Sequence, residues 1–253
     1  MALGSLPPPK QVQHPDQTGL RAEIIHTIRN FATNAPRNLQ RAVGPSEVGT
    51  PCARQLAYKM SPAVERSRDL HDPWPSIIGT ATHAWLADAF THANNLARQA
   101  GTAPPWHLER RVDVGFGLSG SCDCFHEPTG TVLDWKILGE TQYRKYTTEG
   151  PSETYRTQAH CYGLGYLRLG YKVNKVGIGF FGRSKRLSDL HIWSEPFDLD
   201  AALRALKRMR QVQEFVQLGV HPLRVPATPG GACYFCEFKG AEADGLCPGK
   251  EPS

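Results

Sequence analysis

The chain has 253 residues, of which 40% are hydrophobic and 21% are charged. This length suits one large domain or two small ones, and the composition excludes a wholly disordered chain. The net charge of +5 permits a polyanionic partner without requiring one. No run approaches the roughly eighteen apolar residues of a membrane helix, and residues 1–10 lack the apolar stretch of a signal peptide. We therefore expect a soluble, cytoplasmic protein with no membrane partner.

The first part of the chain predicts one helix and two loops. Residues 1–17, rich in proline and glutamine, are expected to form a loose tail, and apolar residues at helical spacing predict a helix near 18–33. Prolines mark residues 34–51 and 61–75 as loops. These loops flank a short segment, Cys52–Tyr58.

The rest of the chain is predicted to mix helices with strands. Helices are predicted at about 77–98, 152–169 and 199–219, and strands at 108–114, 118–125, 131–137, 173–181 and 190–193. The inner face of the first of these helices is expected to carry Ile78 or Gly79, Thr82, His83, Leu86 and Phe90. The inner face of the last is expected to carry Leu199, Leu203, Leu206, Met209, Val212 and Val216. The order of elements predicts a mixed α/β fold that forms a single domain over 18–253, with the first three strands as a meander.

Two acidic residues and a lysine are candidates for catalysis. Asp134 and Lys136 are two positions apart on a predicted strand, so their side chains share a face, and Asp123 lies on the neighbouring strand. Carboxylates suit a hard divalent cation such as Mg²⁺ or Mn²⁺, which lowers the pKa of a bound water and supports phosphodiester hydrolysis. The lysine ammonium is suited to orient that water or to neutralise developing charge. The alternative is that Asp134 and Lys136 are solvent-facing residues of an ordinary strand.

Three further residues fit the same chemistry. His83 follows Gly79 by four positions, and its imidazole is either a ligand for a first-row metal or an ordinary core histidine. Gln158 and Tyr162 are also four positions apart, so they lie on one face of a helix, where an amide and a phenol suit contact with a nucleic-acid strand.

These elements occur in a defined order along the chain. The order is Gly79…His83, Gly120-x-x-Asp123, Asp134-x-Lys136 and Gln158-x-x-x-Tyr162. It resembles the PD-(D/E)XK nuclease superfamily, and specifically its RecB-like branch. The resemblance implies a restriction-endonuclease-like core over about 76–195, in which helices flank a mixed central sheet.

The resemblance also implies roles for individual residues. A metal site would be made by His83, Asp123, Asp134 and the main-chain carbonyl of Trp135. Lys136 would be the catalytic lysine, and Gln158 and Tyr162 would support the substrate and that lysine. The sequence has Asp134 where glutamate is the more frequent residue of the family.

Four of the seven cysteines form a second pattern. Cys233-x-x-Cys236 is followed by Cys247, and Cys52 is a remote partner. Four thiolates suit either Zn²⁺ or an iron–sulfur cluster. The one-plus-three arrangement resembles the CRISPR-associated RecB-like exonucleases and related helicase–nuclease subunits. This resemblance implies a [4Fe–4S] cluster that is held by residues 52–58 and 233–248 and joins the N- and C-terminal segments, with Zn²⁺ as the alternative.

The other three cysteines do not fit this pattern. Cys122, Cys124 and Cys161 are predicted to be core thiols. Because Cys122 and Cys124 lie on either side of Asp123 in a strand, both are expected to face away from it.

Basic residues are concentrated in three places, and two tyrosines, Tyr143 and Tyr146, are interleaved with one of them. The clusters are Arg144 and Lys145; Arg183, Lys185 and Arg186; and Arg204, Lys207, Arg208 and Arg210. They predict either a groove that follows phosphates, with tyrosines stacking on bases, or an ordinary solvated surface.

Residues and resemblance together predict a metal-dependent DNA exonuclease, with DNA as its partner and single-stranded or free ends as its substrate. Recombination, repair and CRISPR-type DNA processing are the settings that fit. The alternative is a non-catalytic iron–sulfur or zinc protein that binds DNA or acts as an adaptor.

Overall fold

The structure is a computed structural model that describes residues 17–34, 43–61, 72–228, 233 and 236–249. The chain divides into two compact units, Met1–Gln40 and Arg41–Ser253. Among the described residues, no helix combines the length and the apolar character that crossing a bilayer requires.

The first unit contains helix α1, Gln17–Asn34, which confirms the helix predicted near 18–33. Its apolar residues recur at helical spacing, yet several are exposed, including Leu20 at 59% and Phe31 at 81%. The predicted tail lies outside the described residues up to residue 16. The extent of a single domain, 18–253, stays a prediction.

The second unit holds the remaining helices and all strands that the structure describes. The helices are α2 (Pro45–Val48), α3 (Ala53–Met60), α4 (Trp74–Gln99), α5 (Glu140–Glu149), α6 (Glu153–Arg168) and α7 (Leu199–Gln217). The strands are β1 (Trp106–Gly115), β2 (Leu118–His126), β3 (Thr131–Leu138), β4 (Lys175–Gly182) and β5 (His191–Pro196). All five predicted strands are confirmed, as are the helices over 77–98, 152–169 and 199–219.

The five strands form one sheet in the order β1-β2-β3-β4-β5. Neighbours are antiparallel except β3 and β4, which are parallel and connected through α5 and α6. The turn between β1 and β2 is tight because Gly115 and Gly117 adopt positive φ angles of 105° and 74°. The predicted mixed α/β arrangement, a central sheet flanked by helices, is therefore confirmed.

Alternation along β3 sends side chains to two different layers. Val132 belongs to the main core, which also contains residues of α6 and α7, whereas Leu133 and Trp135 belong to a second cluster with Leu86 of α4. The α6 helix is buried from Thr157 to Tyr166 because it is packed against the sheet on one side and α7 on the other. The side chains of β3 that face α6 therefore lie deep in the protein.

Both predicted loops contain helical residues. The described part of 34–51 contains α2, and α4 begins at Trp74, within 61–75. The segment Cys52–Tyr58, between the two loops, lies almost entirely in α3. Pro45 is compatible with α2 because it occupies the first turn, where its missing N–H is not needed. Helix α5 was not predicted at all. Residues 35–42 and 62–71 lie outside the described residues.

The inner face of α7 differs from the prediction at its N-terminal end. Leu206, Met209 and Val212 are buried as expected, but Leu199 and Leu203 are 39% and 45% exposed. The buried stripe begins at Ala202, whose small side chain lies on the side of the helix that contacts the core. Leu199 and Leu203 therefore lie beside that stripe and not on it.

Candidate active site

The centre of the site is a buried pair on β3. The Nζ atom of Lys136 lies 2.6 Å from Oδ2 of Asp134, and both side chains face α6. Gln158 on α6 contacts both residues. Its Nε2 donates to Oδ1 of Asp134 at 2.8 Å, and its Oε1 accepts from Nζ of Lys136 at 3.0 Å. The alternative of two solvent-facing residues on an ordinary strand is therefore wrong.

Asp123 lies where β2 and β3 separate. The paired residues of these strands end at Cys124 and Leu133. Beyond this point Oδ2 of Asp123 accepts a hydrogen bond from the main-chain N–H of Trp135 at 2.7 Å. A strand residue directs its N–H and C=O toward the same neighbouring strand, so this contact is compatible with the role predicted for the Trp135 carbonyl. That role stays a prediction.

His83 reaches the same place from α4. Its Nδ1 lies 3.3 Å from Oδ1 of Asp123, and its ring is partly buried. The hydrogen bond with Asp123 raises the pKa of His83, although burial opposes this shift. Because metal ligation needs the neutral imidazole, a cation that binds here would compete with a proton. The contact with Asp123 places His83 in a polar site, which disfavours the core-histidine alternative.

Asp134 is the most deeply buried acid of the site, at 3% exposed. Burial raises the pKa of this carboxyl to about 6, while the charge of Lys136 opposes the shift. Its Oδ2 accepts a charge-assisted hydrogen bond from the ammonium of Lys136, and its Oδ1 accepts one from Gln158. A carboxylate oxygen is also a ligand that a hard divalent cation takes.

Tyr155 also contributes, and sequence reasoning missed it. The Nζ atom of Lys136 lies 4.6 Å from the centre of the Tyr155 ring, which is a cation–π contact. Burial opposes the charged lysine, but Asp134, together with Tyr155 and Asp123, raises the pKa of Lys136 above its usual value. The available signal was spacing, since Tyr155 precedes Gln158 by three positions and so shares its face of α6.

Tyr162 lies one helical turn beyond Gln158. Burial strongly raises the pKa of this phenol, while a hydrogen bond with Gln158 opposes the shift. Its hydroxyl therefore keeps its proton at neutral pH. The hydroxyl supports the amide that holds Asp134 and Lys136.

The two glycines of the predicted motif differ in their surroundings. A Cβ atom on Gly120 would lie 2.8 Å from Cδ of Pro45 and 3.3 Å from the hydroxyl of Tyr162. Apart from its own helix and its chain neighbours, a Cβ atom on Gly79 would have no heavy atom of the described residues within 4 Å. Gly120 is therefore needed for the close packing of β2 beneath the site, whereas the packing imposes no such need at Gly79.

Glu109 on β1 is a second residue that sequence reasoning missed. One ring nitrogen of His83 and one carboxylate oxygen each from Glu109 and Asp123 lie within 4.8 Å of one another. No short motif marks Glu109, because it lies between Leu108 and Arg110 in what reads as an ordinary strand. The register of β1 on β2 brings it to the site.

The three remaining cysteines are buried, as predicted, but two of them differ in orientation. Cys122 belongs to the main core, while Cys124 belongs to the cluster under α4. The expectation that both face away from Asp123 on one side of β2 is wrong. The regular pairing of β2 with β3 stops at Cys124, so strict alternation does not hold around Asp123. Cys161 lies in the main core.

The predicted cluster-binding cysteines come from two distant segments. Cys52 directly precedes α3, and Cys233, Cys236 and Cys247 lie near the C-terminus. All four are free and partly buried. Burial raises the pKa of Cys236, and interactions with Cys247, Cys52 and Cys233 add to that shift.

Helix α3 also contacts the C-terminal segment directly. Arg54 donates to the carbonyl of Val225 at 2.9 Å and lies 3.5 Å from Sγ of Cys247. The Tyr58 hydroxyl donates to the carbonyl of Gly245 at 2.7 Å. These contacts join the two segments without any cofactor, and they place a positive charge beside the thiols.

Two of the predicted basic clusters adjoin each other. Nζ of Lys185 lies 3.0 Å from Oε1 of Glu140 on α5 and 5.8 Å from the ring centre of Tyr143. The exposed basic residues of this surface, which we call the α5 basic surface, are Arg144, Lys145, Arg183, Lys185 and Arg186.

The third basic cluster, on α7, has other partners. Arg208 donates to the carbonyl of Pro51 at 2.6 Å, so it helps to hold the loop before α3. Arg204 and Arg210 form ion pairs with acidic residues near them on the chain. On the α5 basic surface Arg144, Lys185 and Arg186 also form ion pairs, whereas within the described ranges Lys145 and Arg183 form none.

The tyrosines predicted as stacking platforms are partly packed. Tyr146 stacks on Phe180 with ring centres 5.6 Å apart and contacts Tyr155 edge-on at 5.5 Å. The hydroxyl of Tyr143 donates to the carbonyl of Asp189. Helix α5 turns both rings toward the sheet, so each is half-buried, and their stacking on bases stays a prediction.

Comparisons with known proteins find similarity of arrangement at low sequence identity. An alkaline exonuclease from Laribacter hongkongensis is 8% identical, over 71% of this chain and 90% of that chain, with a TM-score of 0.43. A phage-related exonuclease from Haemophilus somnus 129PT is 12% identical, over 73% of this chain and 97% of that chain, with a TM-score of 0.38. No protein-family model and no curated protein matches the sequence. Function is therefore inferred from the geometry of the site.

Proposed function

We propose that the protein is a metal-dependent DNA exonuclease of the PD-(D/E)XK type, in its RecB-like branch. The observation that carries this proposal is the buried pair of Asp134 and Lys136, 2.6 Å apart and held by Gln158. Burying two charged groups costs desolvation free energy, which pairing offsets only in part. Buried ionisable groups with shifted pKa values are concentrated in active sites. Asp123 and His83 beside them add the ligands that a cation needs.

The residues present fit Mg²⁺ or Mn²⁺. Asp123, Asp134 and His83 would hold the ion, with the Trp135 carbonyl as a further ligand. The cluster of one ring nitrogen of His83 with carboxylate oxygens of Asp123 and Glu109, all within 4.8 Å of one another, favours such an ion. A divalent cation supplies Lewis-acid activation of a phosphate and lowers the pKa of a bound water.

The protein's own residues would orient the phosphate that is attacked and neutralise the negative charge that develops on it. Lys136 would place its ammonium beside the phosphate that is attacked and offset the negative charge that develops there. Gln158 would fix the positions of the Lys136 and Asp134 side chains relative to each other, and the buried Tyr162 hydroxyl would hold Gln158. The ring of Tyr155 would restrict the lysine from its other side.

The substrate that we propose is DNA with free ends, in single-stranded form. Its support is the α5 basic surface, because α5 follows β3, the strand that carries Lys136. Exposed arginines and lysines are suited to follow a phosphate backbone. Recombination, repair and CRISPR-type processing all supply such ends.

We propose further that Cys52, Cys233, Cys236 and Cys247 hold a [4Fe–4S] cluster. Four partly buried thiols grouped in this way fit a thiolate-ligated cofactor, and the guanidinium of Arg54 beside Cys247 would offset their negative charge. Zn²⁺ would use the same four ligands. Iron and sulfide analysis of the purified protein separates the two cofactors.

A cleavage assay tests the proposed activity. End-labelled linear DNA and circular DNA, each single- and double-stranded, are incubated with Mg²⁺ or Mn²⁺. We expect loss of label from linear DNA and none of the circles cut, and we expect Asp123→Asn and Lys136→Gln each to lower the rate by at least about a hundredfold. Asp88→Asn, on the exposed side of α4, is the charge-matched control. DNA binding without cleavage under every condition would favour the non-catalytic adaptor instead.

A further inference from the structure

Glu109 occupies a defined position relative to Asp123. In the pairing of β1 with β2, Leu108 lies opposite Cys124 and Arg110 lies opposite Cys122. Glu109 therefore lies at the position of β1 that is opposite Asp123 of β2. The carboxylates of these two residues each place an oxygen within 4.8 Å of a ring nitrogen of His83.

The backbone at Glu109 is unusual for a strand. Its φ angle is 46°, one of two positive values at non-glycine residues among those described. The other, at Phe116, belongs to the tight turn between β1 and β2. A left-handed residue in mid-strand interrupts the ladder and changes the direction of its side chain. This conformation accompanies the approach of the Glu109 carboxylate to His83 and Asp123.

The group around Glu109 has the composition of a cation site. It contains an imidazole nitrogen and two carboxylate oxygens within 4.8 Å of one another. The third strand brings another carboxylate to this place. Asp134 of β3 is 3% exposed, and the main-chain N–H of the next residue, Trp135, donates to Asp123. Negative charge thus converges on one place from three strands.

We propose that Glu109 is a ligand of the catalytic metal, on the solvent side of the site opposite the buried Asp134. The identity of the reaction rests on the proposed function, but the ligand set does not. With Glu109 the protein supplies three carboxylates and one imidazole. An imidazole suits first-row transition metals better than Mg²⁺, so this set favours Mn²⁺ over Mg²⁺.

Binding of Mn²⁺ to the full-length chain in the absence of DNA tests this ligand. The free ion is followed by electron paramagnetic resonance. We expect Glu109→Gln to weaken Mn²⁺ binding by at least about tenfold. Glu149→Gln, at the exposed end of α5, removes the same charge and is expected to change the affinity less than about twofold. Mg²⁺ should compete with Mn²⁺ less well in the wild type than in His83→Ala.

A second variant separates ligation from backbone conformation. Glu109→Gly removes the carboxylate but accepts a positive φ without strain. It should lose Mn²⁺ affinity as Glu109→Gln does, while its thermal unfolding temperature without metal stays at or above that of the wild type. Wild-type affinity in both Glu109 variants would overturn the assignment.

The outcomes distinguish this ligand from the proposed activity. If Asp123→Asn loses Mn²⁺ while Glu109→Gln keeps it, the metal site stands and Glu109 is not part of it. If Glu109→Gln loses Mn²⁺ but the wild type cleaves no DNA, Glu109 is a ligand and the nuclease proposal is wrong. A wild type that binds no Mn²⁺ would overturn both.

Discussion

Asp134 and Lys136 form an ion pair of 2.6 Å in which both partners are held by one amide, that of Gln158. The pair comes from adjacent same-face positions of β3, and the amide comes from the most buried stretch of α6. Helix α6, through Gln158, therefore holds the side chains of both Asp134 and Lys136 in place. Several expectations depend on this arrangement.

Replacing Gln158 tests how strongly the amide holds the pair. Gln158→Leu leaves two buried polar groups without this partner, and we expect a loss of about 1–3 kcal/mol for each in the free energy of unfolding, measured with urea. The DNA cleavage rate should fall with little change in metal affinity. Gln142→Leu, on the exposed side of α5, is the control. Equal behaviour of the two variants would contradict the role of the amide.

The raised pKa of Asp134 predicts a pH dependence of stability in the metal-free protein. Its carboxyl has a pKa of about 6 in the fold against 3.8 in the unfolded chain, so the folded state binds the proton more tightly. The stabilisation that this tighter proton binding gives the fold is fully present below pH 3.8 and is lost as the pH rises to about 6. The free energy of unfolding, measured with urea and a chelator, should lose up to about 3 kcal/mol over this window.

Two comparisons check the source of this effect. Asp134→Asn should remove the loss, while Asp88→Asn should keep it. Mg²⁺ or Mn²⁺ should restore stability above pH 6, because an ion that binds only the folded chain stabilises it. A wild type whose stability rises from pH 4 to 6 as steeply as that of Asp134→Asn would disprove the assignment of the shift to Asp134.

The two motif glycines should respond oppositely to alanine. Gly120→Ala places a Cβ atom 2.8 Å from Pro45, so we expect a loss of about 1–3 kcal/mol in thermal or urea unfolding. Gly79→Ala meets no atom of the described residues outside its own helix within 4 Å and should stabilise α4 by about 1 kcal/mol. If Gly79→Ala instead weakens DNA binding, that glycine is needed for substrate approach rather than for packing.

The four clustered cysteines should behave as one unit. Because an assembled thiolate site is absent from the unfolded chain, loss of any ligand should cost both cofactor and stability. We expect Cys52→Ser to lose most iron and sulfide in chemical analysis and to lower the unfolding temperature. Cys161→Ser, in the main core, should cost stability alone. A wild type that contains zinc and no iron would keep the site and change the cofactor.

The α5 basic surface should make DNA affinity depend on salt. For about five phosphate contacts with a single strand, the slope of log affinity against log salt would be roughly −3.5. Replacing Lys145 and Arg183 by glutamine should make it shallower by about 1.4. Replacing Arg204 and Arg210 of α7 removes the same charge from ion pairs and should change the slope less. Equal changes of the salt slope in both double variants would show that the α5 basic surface contributes no more to DNA binding than the basic residues of α7 do.

The sequence by itself determined which side chains share a face of one element. The two-residue period of β3 was sufficient to place Asp134 beside Lys136, and helical spacing placed His83 with Leu86 and Phe90. All five strands and the mixed α/β class followed from the same periods. Local periodicity carries this information because side-chain direction repeats with a fixed number of residues in a helix or strand.

Only the tertiary structure decided which faces meet. Glu109 lies at the site because of the register of β1 on β2, and Tyr155 lies over Lys136 because α6 packs across β3. Cys122 and Cys124 lie in different clusters because the regular pairing of β2 with β3 ends at Cys124. Residue spacing does not reveal where such pairing ends. Leu199 and Leu203 of α7 are exposed because the buried face of that helix runs through Ala202 and Leu206 instead. Register, strand separation and core boundaries depend on contacts between residues far apart in the chain, and periodicity within one element does not specify those contacts.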